Sequence, residues 1–441
     1  METGVGEWEP RAPEPKNAKQ RKAQCNEAWR PATDVISTFP GLKELTWASL
    51  DLVPRCILDN MRTNLPRFRL HVTTFRLPSL CQKPDQLHDI DHDEYALASS
   101  PNLSSLHAPF SEFDGDGNVD YTDEALKHMA AGIAPNLRSV TLRTWTAGNT
   151  PWLWPAVQAG RPSWRGFFAE EGVPVKENKG SLERLAFSGT GYEELASWST
   201  YLDFSKLGSL ELQTILHAAS LEEVTATVEQ DIFTNLRALS VRIGYDNEEL
   251  ENNEYLASVS TRFFSALSPL NELHIQNPVT RETLHAIFTR QGTLLRKLHL
   301  GNIASLEEVE MICTTCPNIE ELHIGIRRSS GDEQEVATYK ALGAFPRLET
   351  LSLELHYTFD LTEEEEDDKE KMAQQIRYEL ENAAIDAKLA QAIFTVILVA
   401  NPATRLALVT PFEHLTIKGV GHHDWELAFS TLATKMPLFK S

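Results

Sequence analysis

Apolar positions along this chain recur in one short phrase, Leu-x-x-Leu-x-Leu. It is clearest between Leu294 and Ile324, where Leu295, Leu298 and Leu300 are matched 24 residues later by Ile319, Leu322 and Ile324. The alternation at the end of the phrase predicts a short strand with one buried face. Between the two copies the spacing changes. Leu306, Val309, Ile312, Cys313 and Cys316 recur every three or four residues, which predicts a helix. Ser305 and Glu308 stand at capping-box spacing before it, and Pro317 stops it. The unit is a strand, a turn, a helix and a return.

Further copies begin at Leu42, Leu103, Leu137, Leu182, Leu207, Leu236, Leu270, Leu348 and Phe412, with a weaker one, LPRFRLHV, from Leu65. From Leu182 to Leu348 the successive spacings are 25, 29, 34, 25, 24 and 29 residues. Helical stretches lie between them, as from Thr122, from Ser220 (with Glu223 at capping-box spacing) and from Thr280. One such unit cannot bury its own apolar faces and must stack on its neighbours. The expected fold is therefore α/β, a leucine-rich-repeat solenoid of irregular repeats of about 24–35 residues. It would carry a parallel sheet on the concave face and helices on the convex face.

Segments outside this period set the expected domains. Residues 1–38 hold few large aliphatics and many Pro, Glu, Lys, Arg and Gln, and predict a disordered tail. Its basic cluster Lys16, Lys19, Arg21 and Lys22 reads as a solvated or docking tail. Residues 39–441 would form the solenoid, interrupted by a Trp-rich insertion at 145–180 and an acidic loop at 360–371. Trp145, Trp152, Trp154 and Trp164 would either plug a joint or anchor an interface. Met372 to Ala400 reads as one long helix, and residues 411–441 as a cap on the open end.

Charge narrows the partners. With 41 basic and 63 acidic residues the net charge is −22, which opposes nucleic acid or an anionic membrane as the main partner. The five scattered cysteines, Cys25, Cys56, Cys81, Cys313 and Cys316, fit a reducing compartment, cytoplasmic or nuclear. The first residues lack the apolar run of a signal peptide, and no apolar run approaches the ~18–20 residues that span a bilayer.

Candidate chemistry is sparse. Glu112 to Asp123 superimposes on a calcium loop, with Glu112, Asp114, Asp116, Asp120 and Asp123 at ligand positions and Gly117 at the turn. It carries the alternative reading of a calcium-dependent adaptor. Position 1 is Glu and position 12 the short Asp, so an acidic turn leading into a helix is the other reading. Cys313 and Cys316 form a lone CxxC, without the second pair zinc needs, at the end of a helix on its apolar stripe. His88 and His92 stand at i, i+4 among Asp89, Asp91 and Asp93, without a third conspicuous ligand. No nucleophile elbow, phosphate loop or dinucleotide fingerprint is present. The expectation is no enzyme and no cofactor, an uncharacterised enzyme being a remote alternative.

The outward positions of the strands are more informative. At the central one the copies read Thr141, Ala186, Glu211, Ser240, His274, His299, His323, Ser352 and Thr416. If repeats stack in register, three histidines form a ladder at the strand spacing of ~4.8 Å. Beside them Glu272, Lys297 and Glu321 form an alternating charge ladder. These six residues are the expected partner-binding surface, and the histidines make it a candidate pH-sensitive one.

The joints APNLRSVTL, CPNIEELHI and FPRLETLSL, and the phrase NVDYTDEALKHMAAGIAPNLRSVTL, resemble the leucine-rich-repeat regions of fungal F-box proteins over roughly residues 39–430. That resemblance implies a non-enzymatic substrate receptor. In that family an N-terminal F-box docks on the Skp1–cullin ubiquitin ligase. Residues 1–38 show no F-box signature, so the ligase connection follows from the resemblance alone.

Overall fold

The computed structural model describes residues 18–39, 41–83, 88–114, 117–144, 161–168, 179–189, 195–244, 250–357, 374, 377–378, 380–401 and 412–420. Its chain divides into two compact units, Met1–Leu236 and Arg237–Ser441.

The first unit contains β1 (Glu44–Trp47), β2 (Arg69–Val72), β3 (Cys81–Gln82), β4 (Leu103–Phe110), β5 (Val119–Asp120), β6 (Ser139–Thr144), β7 (Arg184–Gly189) and β8 (Ser209–Leu216). Strands β1, β2, β4, β6, β7 and β8 pair in that order, all parallel. The short β3 and β5 make a separate antiparallel pair. Each strand of the main sheet arises from one copy of the phrase, the weak copy at Leu65 included. Register aligns the inner apolar positions: Leu106 lies beside Val140, Val140 beside Leu185 and Leu185 beside Leu210, all buried.

The second unit repeats this with β9 (Ala238–Ile243), β10 (Glu272–Ile275), β11 (Lys297–Ala304), β12 (Glu321–Arg327), β13 (Thr350–His356) and β14 (His414–Val420), again parallel and in chain order. Helices Leu250–Ala266, Arg281–Gln291, Leu306–Thr315, Glu333–Gly343 and Ala387–Ala400 alternate with the strands. Leu273, Leu298, Leu322 and Leu351 line up in the core at 2% exposure or less. Burying each such side chain contributes about 1.5–3 kcal/mol.

The joints between repeats have a shared chemistry. Each carbonyl of Arg237, Asn271, Arg296, Glu320 and Glu349 accepts two backbone N–H groups from the start of the next strand. Asparagine side chains in the joints donate to further backbone carbonyls. Asn102 Nδ2 donates to the Leu65 and Phe68 carbonyls, Asn136 to Pro101, Asn235 to Ser205 and Asn318 to Thr293. A buried polar network closes the loop after β12. Glu335 accepts from the Ser329 and Gly331 amides and from the Tyr339 hydroxyl, and pairs with Arg328.

Three expectations are corrected. The tail is helical from Ala18 to Ser37. It docks through Asn26, whose side chain accepts from the Cys56 amide, and through Trp29, whose ring lies 5.0 Å from Trp47. One aromatic ring and polar anchors replace the aliphatics whose scarcity suggested disorder. The helix after β8 starts at Ala218 with no side-chain cap, so the Ser220–Glu223 box is not used. The long C-terminal helix is broken over 384–386, where the Asp386 side chain caps a new helix, Ala387–Ala400, by accepting from the Leu389 amide. The acidic loop 360–371 and Trp145, Trp152 and Trp154 lie outside the described residues.

Candidate functional site

The uncovered face of the second unit's sheet carries the outward side chains of β9 to β14. Alternation along each strand sends leucines inward and leaves the residues between them half-buried or exposed on this face. Register then fixes a row. Ser240 lies beside His274, His274 beside His299, His299 beside His323, His323 beside Ser352 and Ser352 beside Thr416. The expected ladder is present, and tighter than the strand spacing. His274 and His299 stack with centroids 3.7 Å apart and planes 19° apart, and His299 and His323 stack at 3.7 Å and 28°. Ser240 Oγ lies 3.3 Å from His274 Nδ1.

Burial and crowding set the charge of this stack. Burial lowers the pKa of all three histidines, and His299, flanked by His274 and His323, is pushed down to about 3. The imidazoles are therefore neutral near pH 7. Each offers one donor and one acceptor from its ring edge.

The flanking charge ladder is also formed. Lys297 Nζ stands 3.8 Å from Glu272 and 3.3 Å from Glu321, each about half exposed. The hydrogen bond to Glu321 and then the charge of Glu272 raise the lysine's pKa. All six residues chosen from the sequence thus share one face.

Sequence reasoning missed what closes the row at its far end. Glu354 lies 3.6 Å from His323, 3.9 Å from His356 and 3.3 Å from Lys418. Glu354 and Lys418 are the next outward positions of β13 and β14, two residues beyond those already read. Continuing the alternation would have found them. A glycine shapes the strand beside the stack: a Cβ on Gly301 would lie 1.9 Å from the Gln276 carbonyl oxygen. Register shifts between His299 and Ile303 at this close approach.

The other candidates are placed separately. Asp114 accepts from both nitrogens of Asn118, Asp120 from the Thr122 amide, and Asp123 pairs with Lys127 in the interior. These carboxylates are committed to neighbours in the chain. Cys316 is fully buried, and burial raises its thiol to about 11, so it is a core side chain. Asp91 caps the His92–Ala98 helix and pairs with Lys22. Trp164 packs edge-on against His128 and Phe167, as a plug would. Among the described residues no group of three or more His, Cys, Asp or Glu is placed to hold a metal ion. None of the described helices is long and apolar enough to cross a membrane.

No protein-family model matches the chain, and no curated protein matches it.

Proposed function

We propose that this chain is a leucine-rich-repeat scaffold without enzymatic activity, and that it binds a protein partner on the uncovered face of β9 to β14. The observation that carries this reading is the in-register stack of His274, His299 and His323 beside Glu272, Lys297 and Glu321. Core leucines need only be apolar. A continuous strip of polar, half-exposed side chains over several strands is instead the composition of a recognition surface. The repeat reading is supported by the correspondence of one strand to each copy of the phrase.

The narrower form of the proposal is a substrate receptor like those of the F-box leucine-rich-repeat family, working in the cytoplasm or nucleus and linked to the Skp1–cullin ligase. It rests on the resemblance of the joints alone.

The test is affinity capture with the full chain and with the variant H274A/K297E/H323A, followed by mass spectrometry. Partners recovered by the wild type and lost by a folded variant support the surface. Equal recovery of every partner removes it. Recovery of Skp1 and cullin supports the ligase link, and their absence from a capture that holds other partners removes that link.

A further inference from the structure

A cavity of about 380 Å³ opens in the first unit between the helices Arg55–Asn64 and His92–Ala98. Its chemistry differs from that of the chain as a whole. The protein carries a net charge of −22, yet Arg55, Arg62 and His92 line this cavity with Asp59 as its one carboxylate. Arg55, Asp59 and Arg62 stand at i, i+4 and i+7, so one helix face presents all three.

Both guanidinium groups converge on that carboxylate. Arg55 Nε lies 3.1 Å from each oxygen of Asp59, and Arg62 Nη2 lies 3.4 Å from Oδ1. Arg55 reaches one further acid, Asp93, at 4.0 Å. Two guanidiniums aimed at one oxyanion form an anion clasp in which Asp59 occupies the anion position. The hold of Asp59 is weak, because all three side chains are at least a third exposed and such pairs contribute little in water. An incoming group with more charge and more acceptor oxygens displaces it. A phosphate has about −1.5 to −2 charges at pH 7 and three acceptor oxygens, and it matches the guanidinium fork. Leu58, Ala96 and Pro101 give the cavity an apolar wall for the body that carries the anion.

We propose that this cavity binds a single phosphate group, held by Arg55 and Arg62, on a small molecule or a phosphorylated side chain. Polyanions are poor candidates, since the acidic field of the chain repels a long run of phosphates. The site is independent of the sheet face of the second unit, so either proposal can fail without the other.

Calorimetric titration of the full chain tests it, with three probes: inorganic phosphate, a phosphoserine peptide and its unphosphorylated twin. Saturable one-to-one binding of phosphate or phosphopeptide, and none of the twin, is expected. R62Q removes an exposed side chain and should weaken binding about tenfold, the loss of one charge-assisted contact. D59N should strengthen it several-fold by removing the competing carboxylate, which a merely structural Asp59 would not do. A melting temperature equal to that of the wild type is the check that each variant folds. Phosphopeptide binding much tighter than phosphate identifies a phosphorylated polypeptide as the source, and binding no tighter than phosphate identifies a small molecule. Absence of saturable binding to any probe overturns the proposal, as does an affinity unmoved by both variants.

Discussion

His299 shows how position alone sets the chemistry of a residue. Its sequence neighbours, Leu298 and Leu300, are ordinary strand leucines; its ring neighbours are two more imidazoles at 3.7 Å. A proton on His299 would be half-buried and would face any charge on His274 or His323, so both effects favour the neutral ring. In an NMR titration of the ring resonances, His299 should stay neutral well below pH 6.5, with a midpoint near the value of about 3 set by its surroundings. H274Q, which removes one imidazole neighbour, should move that midpoint up. A midpoint at 6 or above would show that the stack does not form in solution. The identities of the stacking residues were legible from the sequence, because register in a parallel repeat array is fixed by the inner leucines. Their 3.7 Å approach was not, because it depends on ring rotation within the row.

At the scale of one element, the Leu306–Thr315 helix joins local signals to packing. Ser305 Oγ accepts from the Glu308 amide, and the Glu308 side chain accepts from the Ser305 amide, so the box read from the sequence is formed. Val309 and Ile312 then face the core with no exposure. Ser305→Ala should cost about 1 kcal/mol in chemical denaturation, with the slope on denaturant unchanged. A loss under 0.2 kcal/mol would mean that packing alone sets this end of the helix. The same local reading failed at Ser220, because the chain enters that helix two residues earlier, at Ala218. It failed also at residues 384–386, where continuous apolar spacing hid a break that Asp386 caps. Capping-box spacing can be read locally, but the direction from which the strand delivers the chain decides whether it is used.

For the whole molecule, pH acts through groups of opposite sign. Burial raises Glu94 to about 7, against backbone and side-chain hydrogen bonds from Ser79. Its folded-state pKa exceeds the unfolded one, so its contribution is full below pH 4.5 and is lost as pH rises through about 7. For His299 the folded value is depressed, and its contribution is full above 6.5 and falls as pH drops toward 3. E94Q should therefore gain stability over wild type at pH 8, by at most about 3 kcal/mol, and the gain should vanish by pH 4. Melts whose difference is the same at both pH values would remove the buried-carboxyl account. The sequence by itself determined the repeat, the strand at each copy, the helices between most of them and which polar residues share a face. Those follow from periodicity and register, both written in the order of side chains. Tertiary structure alone decided that one carboxylate, Glu354, gathers His323, His356 and Lys418 around it, that Trp29 and Asn26 pin a tail helix, and that two arginines of one helix close on a cavity. Each depends on distances between segments far apart in the chain, and no local pattern of apolar and polar positions encodes them.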